Sequence, residues 1–398
     1  MIDEKFPMLS NKQSCYFDLL RFIAVQLVVL GHLLSFMHIV VSVNYAFGIY
    51  IYIQNLGVVL FFILSGYLIS YSTYSKMTFY SYTFKNFFLD RFFRIYVTFI
   101  PCLIFITVLD YFMPSYQYSA AFNIRTFIGN LFMLQDFPNI IGYPIWDLIK
   151  EIVDSQITSF GSARPLWTLG VEWWLYMAFG WFILKILPLN GFVGRSLSYT
   201  SLFIKLSVFS LLLIVPFYNL VGRGDGLTVT WLLGSMVFFS MYYRYTPLKM
   251  SFLGFAVGNC MCFYLLVLLH TNLHTFYDPR ISIVMVFWFA INLVFSNQIN
   301  LDISEQVKKK SRLLFKVMGG YSYALYLVHY SIIQFFVNVY GQENHKYIVS
   351  SAAFLISNIV ALMMYILFDK HHRKIQKYFL LKYNLLRKES MVVTNVVV

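Results

Sequence analysis

The chain has 398 residues, 59% of them hydrophobic, 20% aromatic and 12% charged, with a formal net charge of +13. Soluble domains carry roughly 25% charged residues, so a soluble globular protein is excluded and most of the chain belongs in a bilayer. The basic residues stand in short clusters between apolar runs, as topology signals do, so no nucleic-acid partner is expected.

Ten apolar stretches of spanning length follow one another, over roughly 17–38, 46–72, 91–113, 166–187, 202–219, 227–243, 249–270, 279–297, 316–340 and 348–369. Backbone groups in lipid must bond within their own segment, which predicts an all-α polytopic membrane protein with about ten transmembrane helices. The first run is too long for a cleaved signal core and no small-residue cleavage site follows it, so it is expected to stay as the first span. With the N-terminus inside, the inner segments hold Lys76, Lys85, Arg91 and Arg94, then Lys185, Arg195, Lys205, Arg244 and Lys249, then the cluster from Lys308 to Lys316 and seven basic residues from Lys370 to Lys388. The outer segments hold only Arg125, Lys150, Arg164, Arg223, Arg280 and Lys346. That asymmetry predicts cytoplasmic termini.

In chain order, the first segment carries "RFIAVQLVVLGH", Arg21 to His32. Eleven positions at 100° each return the chain to nearly the same face, about 16 Å further along the axis. Arg21 then sits near the inner surface and His32 well inside the bilayer, where an ionisable group is costly and marks a candidate site. Asp18, one turn earlier, can hold the guanidinium as an i,i+3 ion pair. The alternative is an arginine reaching the headgroups and a histidine bonded to a neighbouring helix. In the second segment, Ser65 and Gly66 suit close helix packing. Arg91 and Arg94 open the third and offer either guanidinium forks or inner-surface anchors.

One long outer loop follows, at about 113–164, rich in Tyr, Phe, Asn and Gln and holding Asp136, Asp147, Glu151 and Asp154. It is either a partly re-entrant cap or a sugar-binding lid. The fourth segment brings Trp167 and Glu172. Cys15, Cys102, Cys260 and Cys262 have no pairing signal, and Cys260 and Cys262 fall on different helix faces. No His, Cys or carboxylate spacing suggests a metal site. In the ninth segment, Ser322, Tyr326 and His329 lie at i, i+4 and i+7 on one face, as an interhelical seam or a tunnel wall. The residues after Asp369 form a basic amphipathic segment expected on the inner leaflet, so the chain divides into a membrane domain, 1–370, and a basic cytoplasmic tail, 371–398. No signal bears on oligomeric state.

Five stretches together resemble the acyltransferase-3 family of integral membrane O-acyltransferases. "FDLLRFIAVQLVVLGH" resembles its first helix, marked by an arginine and a histidine with ten residues between them. "GVVLFFILSGYLIS" resembles the second-helix motif, "DRFFRIYVTFIPCL" the basic entry to the third, "RPLWTLGVEWWLY" the Pro-Leu-Trp segment with its glutamate, and "GGYSYALYLVHYSII" the late Ser-Tyr-x-Leu-Tyr-Leu-x-His helix. The order is kept over nearly the whole chain. The resemblance implies a ten-helix enzyme that moves an acyl group, usually acetyl from acetyl-CoA, to a sugar of a surface polysaccharide, lipopolysaccharide or peptidoglycan. It places the protein in a bacterial inner membrane. Acetyl-CoA would be a substrate; no permanently bound cofactor is implied. The second-helix motif often carries an acidic residue where Val59 stands, so no role is carried over there. No fused soluble domain of the esterase-like kind found in some members is expected, so transfer would be completed in the membrane domain or with a partner.

Under that resemblance His32 is the catalytic candidate, as the base for the acceptor hydroxyl or as a transient acyl carrier. Arg21, Arg91 and Arg94 are candidates for the phosphates of coenzyme A, which guanidinium forks bind in pairs of hydrogen bonds. Glu172 would orient His32, bond the acceptor or pair with Arg164. Trp167 would pack or stack on a sugar, while Ser322, Tyr326 and His329 would line the path. Two other classes fit a many-helix chain with one long outer loop: a glycolipid transporter or flippase, and a glycan polymerase. The paired, Gly/Pro-broken helices of a repeat-built transporter are missing from the sequence pattern.

Overall fold

The computed structural model describes residues 9–36, 53–79, 81–117, 119–135, 157–187, 199–221, 226–243, 248–270, 277–298, 305–340 and 345–382. Among these there is no strand. The helices, in chain order, are α1 (Asn11–Phe36), α2 (Ile53–Phe79), α3 (Phe84–Tyr111), the short α4 (Pro114–Gln117) and α5 (Ile124–Leu131), and α6 (Leu166–Trp181), which runs on as a π-helical turn, Phe182–Ile186. Then come α7 (Tyr199–Leu212), α8 (Ile214–Val221), α9 (Leu227–Tyr242), α10 (Phe252–His270), α11 (Pro279–Ser296), α12 (Glu305–Tyr340), α13 (Lys346–Leu367) and α14 (His372–Lys382).

The chain is an all-α, multi-pass membrane protein. Seven helical stretches are long and apolar enough to cross a bilayer: α1, α2, α3, α6 with its π turn, α10, α11 and the α13–α14 stretch. Where they fall on described residues, the expected apolar stretches lie mainly on helix, but α7 and α9 are shorter apolar helices and α12 is not among the seven. The fifth stretch divides at Leu213, where α7 stops and α8 starts. Pro216 lies four residues after Leu212 and has no N–H to donate to that carbonyl, so the helix must restart.

Several helices outrun their apolar cores. α1 starts at Asn11 because Ser10 and Gln13 form a reciprocal cap: the Ser10 amide donates to Gln13 Oε1 at 2.9 Å and the Gln13 amide to Ser10 Oγ at 3.2 Å. Thr83 caps α3, its hydroxyl oxygen accepting from the Asn86 amide at 3.4 Å. α12 has 36 residues and begins at Glu305, in the charged run ahead of the apolar stretch. The outer loop contains the short helices α4 and α5, with Asn123 capping α5. Ser162 donates to Asp110 from its amide at 2.8 Å and its hydroxyl at 2.5 Å, tying the loop's return to the end of α3. Asp136, Asp147, Glu151 and Asp154 lie outside the described residues.

α2 is central. Two-thirds of its most apolar 18-residue window is buried, against 6% for that of α10, which packs mainly on α11 and faces lipid. In lipid there is little hydrophobic gain from helix pairing, so small residues that admit close approach decide the crossings. Gly66 and Gly234 do this where α2 meets α9: a Cβ on Gly66 would lie 2.0 Å from the Trp231 carbonyl oxygen, and one on Gly234 would lie 2.2 Å from that of Ile63. Around this crossing α1 packs on α2 and α12, and α12 on α13. A Cβ on Gly319 of α12 would come 2.6 Å from Asp18, so only glycine lets that helix approach the base of α1. Among the cysteines, Cys102 and Cys262 are buried and Cys260 is exposed, all of them free thiols.

Candidate active site

A cavity of about 180 Å³ runs between α1, α2, α3, α6 and α12. Arg21, Arg91, Arg94, Glu172, Ser322 and Tyr326 all line it. These six of the residues expected from sequence come together from four helices, while Asp18, His32, Trp167 and His329 lie outside the cavity lining.

Its first end is basic. Arg21 Nη1 lies 3.1 Å from Asp18 Oδ1, the ion pair anticipated from their spacing. Arg91 donates from Nη2 to Ser72 Oγ at 3.1 Å and sits 5.5 Å over the Phe87 ring. Its Nε is buried with no hydrogen-bond partner among the described residues. Arg94 pairs with Asp369, a carboxylate only 1% exposed, and lies 5.8 Å over the Tyr323 ring. Beside them Asp90 accepts from Lys76 at 2.5 Å, Tyr82 at 2.6 Å and Gln376 at 2.7 Å. Burial and the neighbouring Asp90 carboxylate hold the Tyr82 phenol protonated far above its ordinary range.

The middle of the cavity is a hydrogen-bonded chain. Trp231 Nε1 donates to Ser65 Oγ at 3.0 Å, Ser65 meets the Tyr176 hydroxyl at 2.8 Å, and Tyr176 donates to Glu172. Indole N–H can only donate, so with the phenol proton given to the carboxylate, Ser65 donates to Tyr176. Polar groups from α2, α6 and α9 are thereby satisfied in one direction. Neither His32 nor Arg164 is a hydrogen-bond partner of Glu172, so its carboxylate is oriented by Tyr176, one turn along its own helix. Of the roles the sequence suggested, orienting His32 and pairing with Arg164 thus have no contact here, and bonding the acceptor is the one left.

The other end is aromatic. The Tyr326 hydroxyl shares a hydrogen bond with Thr168. Its ring centroid lies 5.9 Å from that of His329, which stacks on His32 at 5.4 Å with 27° between planes. Tyr330 meets His32 edge-on at 5.0 Å. His329 Nδ1 lies 3.0 Å from the Leu325 carbonyl oxygen and 2.9 Å from that of Tyr326. Carbonyls only accept, so the neutral ring carries its proton on Nδ1 and presents a lone pair at Nε2. That Nε2 is buried with no partner among the described residues.

Of the ninth-segment stripe, Ser322 donates to the Met318 carbonyl at 2.8 Å while lining the cavity. Tyr326 does double duty as wall and seam, and His329 lies just beyond. Trp167 packs edge-on against Tyr277 at 5.9 Å rather than lining the cavity. Gln26, the other polar residue between Arg21 and His32, points elsewhere: Nε2 donates to Asn358 at 2.8 Å, joining α1 to α13. Among the described residues no three His, Cys, Asp or Glu side chains could together hold a metal ion. Sequence reasoning missed Tyr176, Thr168, Tyr330 and Asp369. Only Tyr176 left a signal, its i+4 spacing from Glu172.

Residues 16–368 match the family model described as an acyltransferase domain, which covers most of the chain. No curated protein matches the sequence, and no solved structure does.

Proposed function

We propose, since the chain belongs to the acyltransferase-3 family, that this membrane acyltransferase moves an acetyl group from acetyl-CoA to a hydroxyl of a cell-surface glycan or its lipid-linked precursor. The observation that carries the reading is one cavity that runs from three arginines on two helices to Tyr326, with the stacked His329 and His32 rings behind that tyrosine, outside the cavity lining. A donor that carries a pyrophosphate and a 3′-phosphate needs guanidinium forks at one end, and acyl transfer to an alcohol needs a proton acceptor at the other. The cavity volume of about 180 Å³ suits a slender thioester arm and leaves the nucleotide outside.

In this reading the phosphates rest on Arg21, Arg91 and Arg94, and the thioester carbonyl lies toward Tyr326. His32 takes the proton of the acceptor hydroxyl as its oxygen attacks the carbonyl carbon. The new C–O bond forms, the C–S bond breaks, and the departing thiolate takes the proton from the His32 imidazolium. His329 is a positioning residue: its ring covers one face of His32, and its own plane is fixed by the Leu325 and Tyr326 carbonyls. Glu172, held by Tyr176, faces the cavity between the two ends, where it can bond the acceptor.

The ends of the bundle sort in a way that supports a cytoplasmic donor side and cytoplasmic termini in a bacterial inner membrane. Arg21, Arg94, Asp369 and α14 gather at one end, and Arg164 of the outer loop and Thr168 in the first turn of α6 lie toward the other. The test is purified protein in lipid given labelled acetyl-CoA and isolated envelope glycan. Transfer of label by the parent and its loss in His32→Gln are expected. Label that stays on coenzyme A with every glycan fraction offered would refute the acceptor class.

A further inference from the structure

Helix α14 and the turn before it look outward with one chemistry and inward with another. Residues 370–382 contain Lys370, Arg373, Lys374, Lys377 and Lys382, with His371 and His372, and no acidic residue. Arg373, Lys374 and Lys377 are exposed, and so are apolar groups among them: Tyr378 at 67%, Ile375 and Leu381 at 41% each. The segment follows the apolar part of α13 directly, through the short turn Asp369–His371, and packs on α3, whose N-terminal end carries Arg91 and Arg94. Clustered Lys and Arg with interspersed aromatic and aliphatic side chains at a span's end fit an anionic lipid surface.

The inward side grips the donor end of the cavity. Gln376 donates to Asp90 at 2.7 Å, and the Phe379 ring lies 5.3 Å from that of Phe93. At the root of the helix His372 Nδ1 bonds the Asp369 carbonyl at 2.6 Å, and the Asp369 carboxylate holds Arg94. Asp90 directly precedes Arg91. α14 is thus fastened at both ends of the five-residue stretch 90–94 that supplies two of the three cavity arginines.

We propose that α14 binds an anionic lipid surface and that this seating, passed on through Asp90 and Asp369, holds Arg91 and Arg94 in place for the donor. The donor part rests on the function proposed above; the lipid part does not. An uncharged or displaced bilayer surface would loosen α14, free the Asp90 and Asp369 contacts, and weaken donor binding without any change in the cavity's own residues. Each Lys or Arg near such a surface contributes roughly a fivefold preference for it, so losing three should largely unseat the helix.

The experiment uses the full chain in nanodiscs of phosphatidylcholine alone or with added phosphatidylglycerol. A nitroxide at Leu381→Cys, with the four native cysteines replaced, reports whether α14 meets lipid or water. The perturbing variant is Arg373→Gln/Lys374→Gln/Lys377→Gln. In anionic discs the parent label should be lipid-facing and the triple variant's water-facing. In the same discs the variant should show several-fold faster hydrogen exchange over 84–95 and several-fold weaker coenzyme A binding. In phosphatidylcholine discs parent and variant should match in all three. A label indifferent to lipid charge overturns the lipid contact. Unchanged exchange over 84–95 despite a moving label overturns the coupling. Coenzyme A affinity that falls equally in both lipids means that the basic side chains touch the donor instead, which also overturns it. If coenzyme A binds no form of the protein, the donor reading has failed, while the label and exchange arms still decide this one.

Discussion

Replacing Arg91 with lysine separates a phosphate-binding arginine from one that only anchors a helix. Arg21 and Arg94 are already matched by Asp18 and Asp369. Arg91 has no carboxylate within ion-pair reach among the described residues; it spends one N–H on Ser72 at 3.1 Å and leaves Nε buried without a partner. It is the guanidinium with a position still to fill. Lysine keeps the charge but replaces the planar fork with one ammonium, so one of two parallel bonds to a phosphate is lost. A hydrogen bond to a charged group contributes about 1.5–3 kcal/mol. At tenfold per 1.4 kcal/mol, Kd for coenzyme A should rise about 10- to 140-fold. Calorimetric titration of the purified protein measures this, with thermal unfolding recorded alongside. Arg94→Lys should cost more stability and less affinity, because it disturbs the Asp369 pair. Parent-like affinity in Arg91→Lys together with a large loss in Arg94→Lys would refute the reasoning.

His32→Gln should lower acetyl transfer by about 10²–10⁴-fold, the usual contribution of a general base, with coenzyme A still bound; a near-normal rate would show that the imidazole only packs. Single cysteines at Ser119 and Ser390 should divide under an impermeant thiol reagent, with only the former modified in cells whose outer membrane is permeabilised, and the reverse pattern would invert the topology. Gly66→Val should lower the unfolding temperature, since overpacking typically costs about 1–3 kcal/mol and a Cβ there would lie 2.0 Å from the Trp231 carbonyl oxygen. An unchanged melt would mean that α2 and α9 can separate without loss.

Much of the site could be read along the chain because it is local in sequence. Asp18, Arg21 and His32 share α1, and helix geometry alone places the first two in contact. Arg91 with Arg94, and Ser322 with Tyr326, follow from the same periodicity. What stayed hidden depends on packing between distant segments. Asp369 meets Arg94 across 275 positions and Gln376 meets Asp90 across 286. Neither acid stands out in a sequence where any carboxylate near a span's end looks like ordinary interface chemistry. Glu172 shows the limit from the other side: its burial could be inferred from cost, but its partner required knowing which way α6 turns Tyr176. Hydropathy marks where an apolar stretch stops, and several helices run on past that point. Ser10, Thr83 and the charged start of α12 continue helices past the lipid, where water rather than burial surrounds the side chains.

The α1 rod has one further consequence. It contains no proline, and it carries Arg21 and His32 on a single unbroken helix, so the interval between them is fixed at about 16 Å by the rise of the helix alone. Side-chain motion can blur that interval but cannot abolish it. With the roles proposed above for Arg21 and His32, the enzyme would gauge its donor by length as well as by charge. A carrier whose phosphates and acyl carbon lie too close together can satisfy either mark and never both, so the same acetyl group on a short thiol would be left unused even where its chemistry is equally ready.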